Sequence, residues 1–303
     1  MSRIFVLMLK SQEPGKLNGL EVRLLILPAV VAAIMLIAIA LIFFAPKPER
    51  VEAEAGEKPE LGSVKSCKLT VVVDNNPDSG LETTWGVSIL AEAGDLKILF
   101  DTGPDPGALK RNLMRLGIDP SRIDLVVISH EHHDHVGGLP YLAEVNPDLR
   151  VYVPSGMSSR VKAGIRELGL SVIEVEDTTR IAEGVAVVGQ LGGFLKEQAL
   201  AINVEGRGLV ILVGCSHPGV VNIVEKASRD LNVKPYLVLG GFHMGGASPS
   251  TCRKTIKELL SLGLVKIAPI HCSGETIRSI LAKEFPGNYL ECHVGSRVEV
   301  EPP

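Results

Sequence analysis

The sequence predicts an α/β domain carried behind a single N-terminal transmembrane helix. From about residue 63 onward, short apolar runs alternate with stretches of helical periodicity, which is the α/β pattern. Residues 24–45 carry no charge and are long enough to cross about 30 Å of hydrocarbon. Between these regions, Pro46 to Gly62 is rich in Pro, Glu, Lys and Gly and nearly free of large apolar side chains, as a solvated linker is. The chain therefore divides into an N-terminal flank (1–23), an anchor (24–45), a linker (46–62) and one domain (63–303).

The elements of that domain follow in order. Strands are expected at Lys68–Val73, Gly86–Ala91 and Lys97–Phe100, the last two joined by the turn Ala93-Gly94-Asp95. A helix at Gly107–Leu116 is stopped by Gly117, and the buried strand Leu125–Ile128 runs into a histidine-rich segment and a helix at Gly138–Val145. Strand Arg150–Val153, helix Ser158–Leu168 and strands Val172–Val175 and Val185–Val188 come next. Ala199–Val204 and Leu209–Val213 form a second hairpin across Glu205-Gly206-Arg207-Gly208. The remaining elements alternate: helix Val220–Leu231, strand Tyr236–Leu239, helix Thr251–Leu262 closed by Gly263, strand Val265–Pro269 and helix Glu275–Lys283. Hairpins early and crossovers late imply mixed sheets.

With 303 residues, 46% apolar and 22% charged, the chain is neither disordered nor fibrous. A net charge of -4 argues against a partner bound by neutralising phosphates along a basic face, and 4% aromatic residues with one tryptophan, Trp85, argue against stacking platforms for single-stranded nucleic acid or long carbohydrate. No nucleic-acid partner is expected. Five cysteines without a CxxC pair make neither a disulfide scaffold nor a zinc ribbon, and Cys67, Cys252 and Cys292 carry no further signal. The apolar run begins after 23 residues and ends in Phe43-Phe44, unlike a cleaved signal peptide, so a single-pass membrane location through Leu24 to Ala45 is expected. Arg3, Lys10, Lys16 and Arg23 before the span balance Lys47, Arg50, Lys58 and Lys65 after it, which leaves the side of the membrane open.

The chemistry concentrates at Ser129-His130-Glu131-His132-His133-Asp134-His135-Val136-Gly137-Gly138, directly after a buried strand. In an extended stretch His130 and His132 project to the same side, so two imidazoles can hold one divalent ion. Asp134 and His135 follow where the chain turns into a helix and can hold a second ion. Two such ions about 3.5–4 Å apart would share a hydroxide nucleophile at neutral pH. His133 lies off this period and reads as solvent-facing.

With these residues the sequence resembles the metallo-β-lactamase superfamily, whose hallmark is H-x-H-x-D-H with two glycines behind it. Ile98-Leu99-Phe100-Asp101-Thr102-Gly103 is similar to that superfamily's second-strand signature, in which Asp101 would buttress the metal loop. The resemblance covers about residues 67–290. It implies an αββα sandwich of two mixed sheets between helices, with the metal site at one edge. It also shows two departures. No histidine lies between His135 and His217, so the usual third histidine is missing, and Gly214-Cys215-Ser216-His217 stands where a Gly-Asp pair would supply the bridging carboxylate. His217 is the expected third ligand or bridge, with Cys215 as its rival, and His271 in Pro269-Ile270-His271-Cys272 is the expected final ligand.

The segments at 214–217, Gly240-Gly241-Phe242-His243, His271-Cys272-Ser273-Gly274 and Glu197-Gln198-Ala199-Leu200 narrow the resemblance. Together with Val73-Asp74-Asn75 and Trp85-Gly86-Val87-Ser88 they are similar to the branch named for 7,8-dihydropterin-6-methyl-4-(β-D-ribofuranosyl)aminobenzene-5'-phosphate synthase. Membership of a branch does not carry its named reaction. His243, behind two glycines, reads as a substrate contact or catalytic acid. Glu197 reads as an outer carboxylate or a substrate contact, Cys272 as packing that points away from the site, and His293, on the last strand, as structural.

The expectation is a dinuclear metal-dependent hydrolase with His130, His132 and His217 on one divalent ion and Asp134, His135 and His271 on the other. Zinc comes first among the ions, with manganese or iron as alternatives. Losing the bridging carboxylate leaves the site net positive, which favours an anionic small-molecule substrate bearing phosphate or pyrophosphate. Two alternatives stand beside it: a transferase joining a dihydropterin pyrophosphate to an arylamine, and a non-catalytic sensor of a small acid.

Overall fold

Leu209, Ile211 and Val213 pack into one apolar cluster while Val210 and Leu212 pack into another, because successive side chains of a strand leave opposite faces of its sheet. A strand that is apolar on both faces must be covered on both. The computed structural model, which describes residues 60–78 and 80–303, satisfies this with two sheets packed face to face and helices on both outer faces. The predicted span at 24–45 lies outside the described residues. Among the described residues no helix is long and apolar enough to cross a membrane.

The strands are β1 (Cys67–Val73), β2 (Ser88–Ala93), β3 (Leu96–Phe100), β4 (Leu125–Val127), β5 (Arg150–Pro154), β6 (Ser171–Val175) and β7 (Thr179–Ala182), followed by β8 (Val185–Leu191), β9 (Glu197–Val204), β10 (Gly208–Val213), β11 (Pro235–Gly241), β12 (Lys266–Ile270) and β13 (Arg297–Val300). The helices are α1 (Pro106–Leu116), α2 (His133–Val136), α3 (Leu139–Val145), α4 (Ser159–Glu167), α5 (Val220–Leu231), α6 (Pro249–Ser261) and α7 (Glu275–Glu284). One sheet runs β13-β1-β2-β3-β4-β5-β6 and the other β12-β11-β10-β9-β8-β7. Strands β3 to β6 are parallel, as are β10 to β12, and the hairpins supply the antiparallel pairs.

Leu69, Ile89 and Phe100 of the first sheet meet Leu200, Ile202 and Leu212 of the second in the central core. Helices α1, α3 and α4 cover the outer face of the first sheet through Leu109, Leu113, Leu142 and Ile165. Helix α5 covers the second with Val220, Ile223, Val224 and Ala227, spaced to form one apolar stripe. The expected αββα sandwich is the one observed.

Three differences from the sequence reading matter. Strand β7 was not expected and the last strand, β13, begins only at Arg297, beyond His293; both are short, poorly buried strands at sheet edges. The linker expected to reach residue 62 ends earlier, because Leu61 is buried and residues 60–62 are bound into the domain. Arg180 donates to the Glu60 carbonyl at 2.9 Å, Gly184 N to Leu61 O at 2.8 Å and Asn203 Nδ2 to Gly62 O at 2.6 Å. A lone leucine in a polar stretch has no periodicity to betray its burial. Finally, β2 starts at Ser88 rather than Gly86. Gly86 sits at φ +157°, where a Cβ would come within 2.6 Å of the Asp134 carbonyl oxygen.

The carboxyl ends of β3 and β4 in one sheet and of β10, β11 and β12 in the other carry Asp101, His243 and every predicted metal ligand except those on α2. That is where parallel strands place ligand-binding loops.

Candidate metal centre

Asp101 follows β3 in a left-handed conformation, φ 55°, and is fully buried. Its Oδ1 accepts from the Ser129 backbone N–H at 2.6 Å, while Oδ2 accepts from Ser129 Oγ and lies beside His135 Nδ1, both at 2.7 Å. Thr102 N and Oγ1 both donate to the His135 carbonyl. The pair Asp101-Thr102 thus clamps both halves of the histidine loop, as the family resemblance implied. Burial raises the Asp101 pKa in spite of these contacts, and Asp101 raises that of His135 against the opposing effect of burial.

The ring nitrogens of His130, His132 and His217 converge to within 4.8 Å of one another, the first expected group. Ser129 Oγ lies 2.9 Å from His130 Nδ1, which leaves His130 Nε2 facing His132 Nδ1 at 3.1 Å. Glu197, at the start of β9, decides how His217 points. Its Oε2 accepts from His217 N at 2.8 Å and lies 2.9 Å from His217 Nδ1, leaving Nε2 for the group. Its Oε1 accepts from the backbone N–H of Cys215 at 2.9 Å and of Ser216 at 2.7 Å. Burial opposes its ionisation, but the bonds from His217 and these backbone groups outweigh that and lower its pKa. Fully buried, Glu197 sits behind the His217 imidazole and orients it, as an outer carboxylate would.

The second group is Asp134, His135 and His271, as expected, joined by Cys215. Asp134 Oδ2 lies 3.7 Å from His135 Nε2 and 3.4 Å from His271 Nε2, and Cys215 Sγ lies 3.3 Å from His135 Nε2. Cys215 thus joins the second group, and with His217 and His243 it also makes a third set of donors within 4.8 Å of one another, so it lies between the two expected ions. Ser216, between residues 215 and 217, takes a left-handed conformation, φ 61°, so the turn is not extended, yet the Cys215 and His217 donors still lie within 4.8 Å of each other. Gly214 makes the approach possible, since a Cβ there would lie 2.0 Å from Ser129 Oγ. His271 is held from the other end of the chain. Its N–H donates to Asp74 Oδ1 at 2.8 Å, its Nδ1 lies 3.0 Å from Asn75 Oδ1, and Asn75 Nδ2 donates to its carbonyl at 3.3 Å.

His243 is exposed at the open edge of this cluster, its ring 4.6 Å from that of His217 and one of its nitrogens within 4.8 Å of the Cys215 and His217 donors. His133 is exposed on α2. His293 lies in the turn before β13 rather than on the strand, its Nδ1 2.8 Å from the Val294 carbonyl. Cys272 does not simply point away: residues 271–273 form a 3-10 turn, so neighbours do not alternate. Its Sγ accepts from the His243 N–H at 3.3 Å and donates to the Cys215 carbonyl at 3.7 Å.

These side chains fit divalent cations. His271 Nε2 is buried with no hydrogen-bond partner, an expensive arrangement unless something accepts its lone pair. His130 is held well below its ordinary pKa by burial and by neighbouring imidazoles, so it is a neutral ligand at neutral pH. Burial pushes the Asp134 carboxyl up, but the nearby imidazoles of His271 and His135 hold it at about 2. Cys215 has a raised pKa from its contact with Cys272 and from burial, which a bound cation would reverse.

A pH dependence follows for the metal-free protein. Below pH 6.5 the unfolded chain takes up a proton at residue 130 that the folded chain refuses, so this group makes the fold less stable as pH falls. His135, with its raised pKa, contributes in the opposite sense. In chelator-treated protein, His130→Gln should flatten whatever loss of urea resistance accompanies acidification from pH 7.5 to about 5.5. An unchanged slope would mean that His130 does not resist protonation.

The metallo-β-lactamase superfamily model matches residues 86–227. The chain is 27% identical over 289 residues to the 7,8-dihydropterin-6-methyl-4-(β-D-ribofuranosyl)-aminobenzene-5'-phosphate synthase of Methanocaldococcus jannaschii, covering 79% of this chain and 98% of the relative. The crystal structure of Tm1679, described as a metal-dependent hydrolase of the β-lactamase superfamily, superposes with a TM-score of 0.67 at 27% identity, over 78% of this chain and 99% of that one. The metallo-β-lactamase fold protein YhfI from Bacillus subtilis shares the fold, with a TM-score of 0.57 at 17% identity, over 78% of this chain and 100% of that one.

Proposed function

We propose, from the match of the metallo-β-lactamase superfamily model to residues 86–227, that the chain is a metal-dependent hydrolase of that superfamily using two divalent cations on a small phosphate- or pyrophosphate-bearing substrate. His130, His132 and His217 would hold one ion, and Asp134, His135, Cys215 and His271 the other. Zinc suits the thiol best, with manganese or iron less suited to it. When bound, the two ions supply Lewis acidity toward phosphoryl oxygens and a water acidic enough to attack at neutral pH. The observation that carries the reading is the donor set itself: two adjacent groups in which Asp134 is the only carboxylate. Even with Cys215 as a thiolate, two dications leave the site positive, which draws an anion. His243, exposed beside His217, can pass a proton to the leaving group. We keep a membrane tether through residues 24–45 as part of the proposal, on their uncharged apolar run alone.

The test is metal analysis of the protein followed by a screen of phosphomonoesters, phosphodiesters, pyrophosphates, thioesters and lactones. Metal-dependent release of phosphate or pyrophosphate is expected; turnover confined to thioesters or lactones would remove the phosphoryl reading. Cys215→Ser should weaken the second ion and shift preference from zinc toward manganese, read as metal content after dialysis against each. Unchanged zinc content would leave the ion to Asp134, His135 and His271.

A second reading is favoured by the likeness to the methanogen synthase along nearly that protein's full length. In a transferase that condenses a dihydropterin pyrophosphate with an arylamine, the same donors would serve to bind the departing pyrophosphate. Pyrophosphate release that requires an arylamine distinguishes it from hydrolysis.

A further inference from the structure

Trp85 is the chain's only tryptophan, and 61% of it is exposed. Its indole centroid lies 5.0 Å from that of His271, with the rings tilted by 57°. The backbone on either side is pinned to the metal centre. Val87 N donates to the Asp134 carbonyl at 3.3 Å, Thr84 N donates to the carbonyl of Asp74, whose side chain holds His271, and Gly103 N donates to Val87 O. Gly86 lies so close to the Asp134 carbonyl and Pro104 that no side chain fits between them. Gly86 and Val87 are buried, and only the indole is turned out. A large, two-torsion aromatic side chain held in water by a fixed backbone, beside one ligand of the second group and tied to another, is already ordered for contact with a flat partner.

We propose that Trp85 is a specificity-determining residue of the site, its exposed indole receiving a planar aromatic portion of the anionic substrate while the anion lies at the metal donors. This rests on the phosphoryl reading above for the nature of the anion, but not for the stacking. No bond is made or broken at the indole. Its role is to favour aryl-bearing anions over aliphatic ones with the same charged head.

The sole tryptophan provides the readout. Full-length, zinc-loaded protein is titrated with phenylphosphonate against methylphosphonate and with benzoate against acetate, following Trp85 emission and measuring Kd by calorimetry. Phenylphosphonate should change Trp85 emission and bind roughly fivefold more tightly than methylphosphonate. Trp85→Ala should bring the two ligands to equal affinity, and Trp85→Tyr should restore most of the difference. A residue that merely propped His271 would alter metal content and both affinities together, leaving their ratio unchanged. That result in metal-matched samples, or the absence of any aromatic preference in both wild-type pairs, overturns the proposal. If neither phosphonate binds while benzoate exceeds acetate through Trp85, the phosphoryl reading falls and the stacking role stands.

Discussion

Asp134→Ala should leave a folded protein that holds at most one of its two ions and turns over roughly a thousandfold more slowly or worse. The Asp134 side chain brings the only carboxylate into the second group, between His135 at 3.7 Å and His271 at 3.4 Å. Its tie to the rest of the fold runs through its backbone carbonyl, which accepts from Val87 N and which the substitution keeps. Loss of a ligand is thus separable from loss of structure. Metal stoichiometry and kcat measured on the same sample check this, and near-normal turnover with one ion bound would end the dinuclear reading.

Glu197→Gln should do the reverse and damage both stability and the first ion. The carboxylate receives three backbone N–H groups and faces one imidazole nitrogen, whereas an amide has a single acceptor oxygen and would turn its NH2 toward donors. Leaving such buried groups unpaired costs on the order of 3 kcal/mol. His217 would also lose the contact that presents its Nε2, weakening the first ion by about 10- to 100-fold. Urea denaturation of metal-free protein and competition with a chromophoric chelator measure the two effects separately. Wild-type values in both would show that Glu197 does not hold the turn.

What could be read from the sequence divides along physical lines. Strands such as β9 and β10 are covered on both faces, so their apolar runs announce them, and the stripe of α5 is visible at helical spacing. The edge strands β7 and β13 bury too little to leave a pattern. Likewise, His130, His132, Asp134 and His135 are legible because one loop carries them all. That Cys215 reaches Asp134, His135 and His271 as well as His217 depends on the left-handed turn at Ser216, which no spacing rule reveals. The cradle of Asp74 and Asn75 beneath His271 joins residues 197 and 196 positions apart, and only the folded chain brings them together.

The two groups of donors also straddle the sandwich. His130, His132, Asp134 and His135 follow β4 of one sheet, whereas Cys215, His217 and His271 follow β10 and β12 of the other. Each cation would therefore act as a rivet across the seam between the sheets, and its binding energy would add to the cohesion of the whole domain. By mass action, an ion present at a hundred times its Kd contributes about 2.7 kcal/mol per site, provided that the unfolded chain does not bind it. Thermal melts across a series of divalent ions would then rank those the chain prefers before any substrate is found, and a cell short of them would carry a domain that parts more readily along that seam.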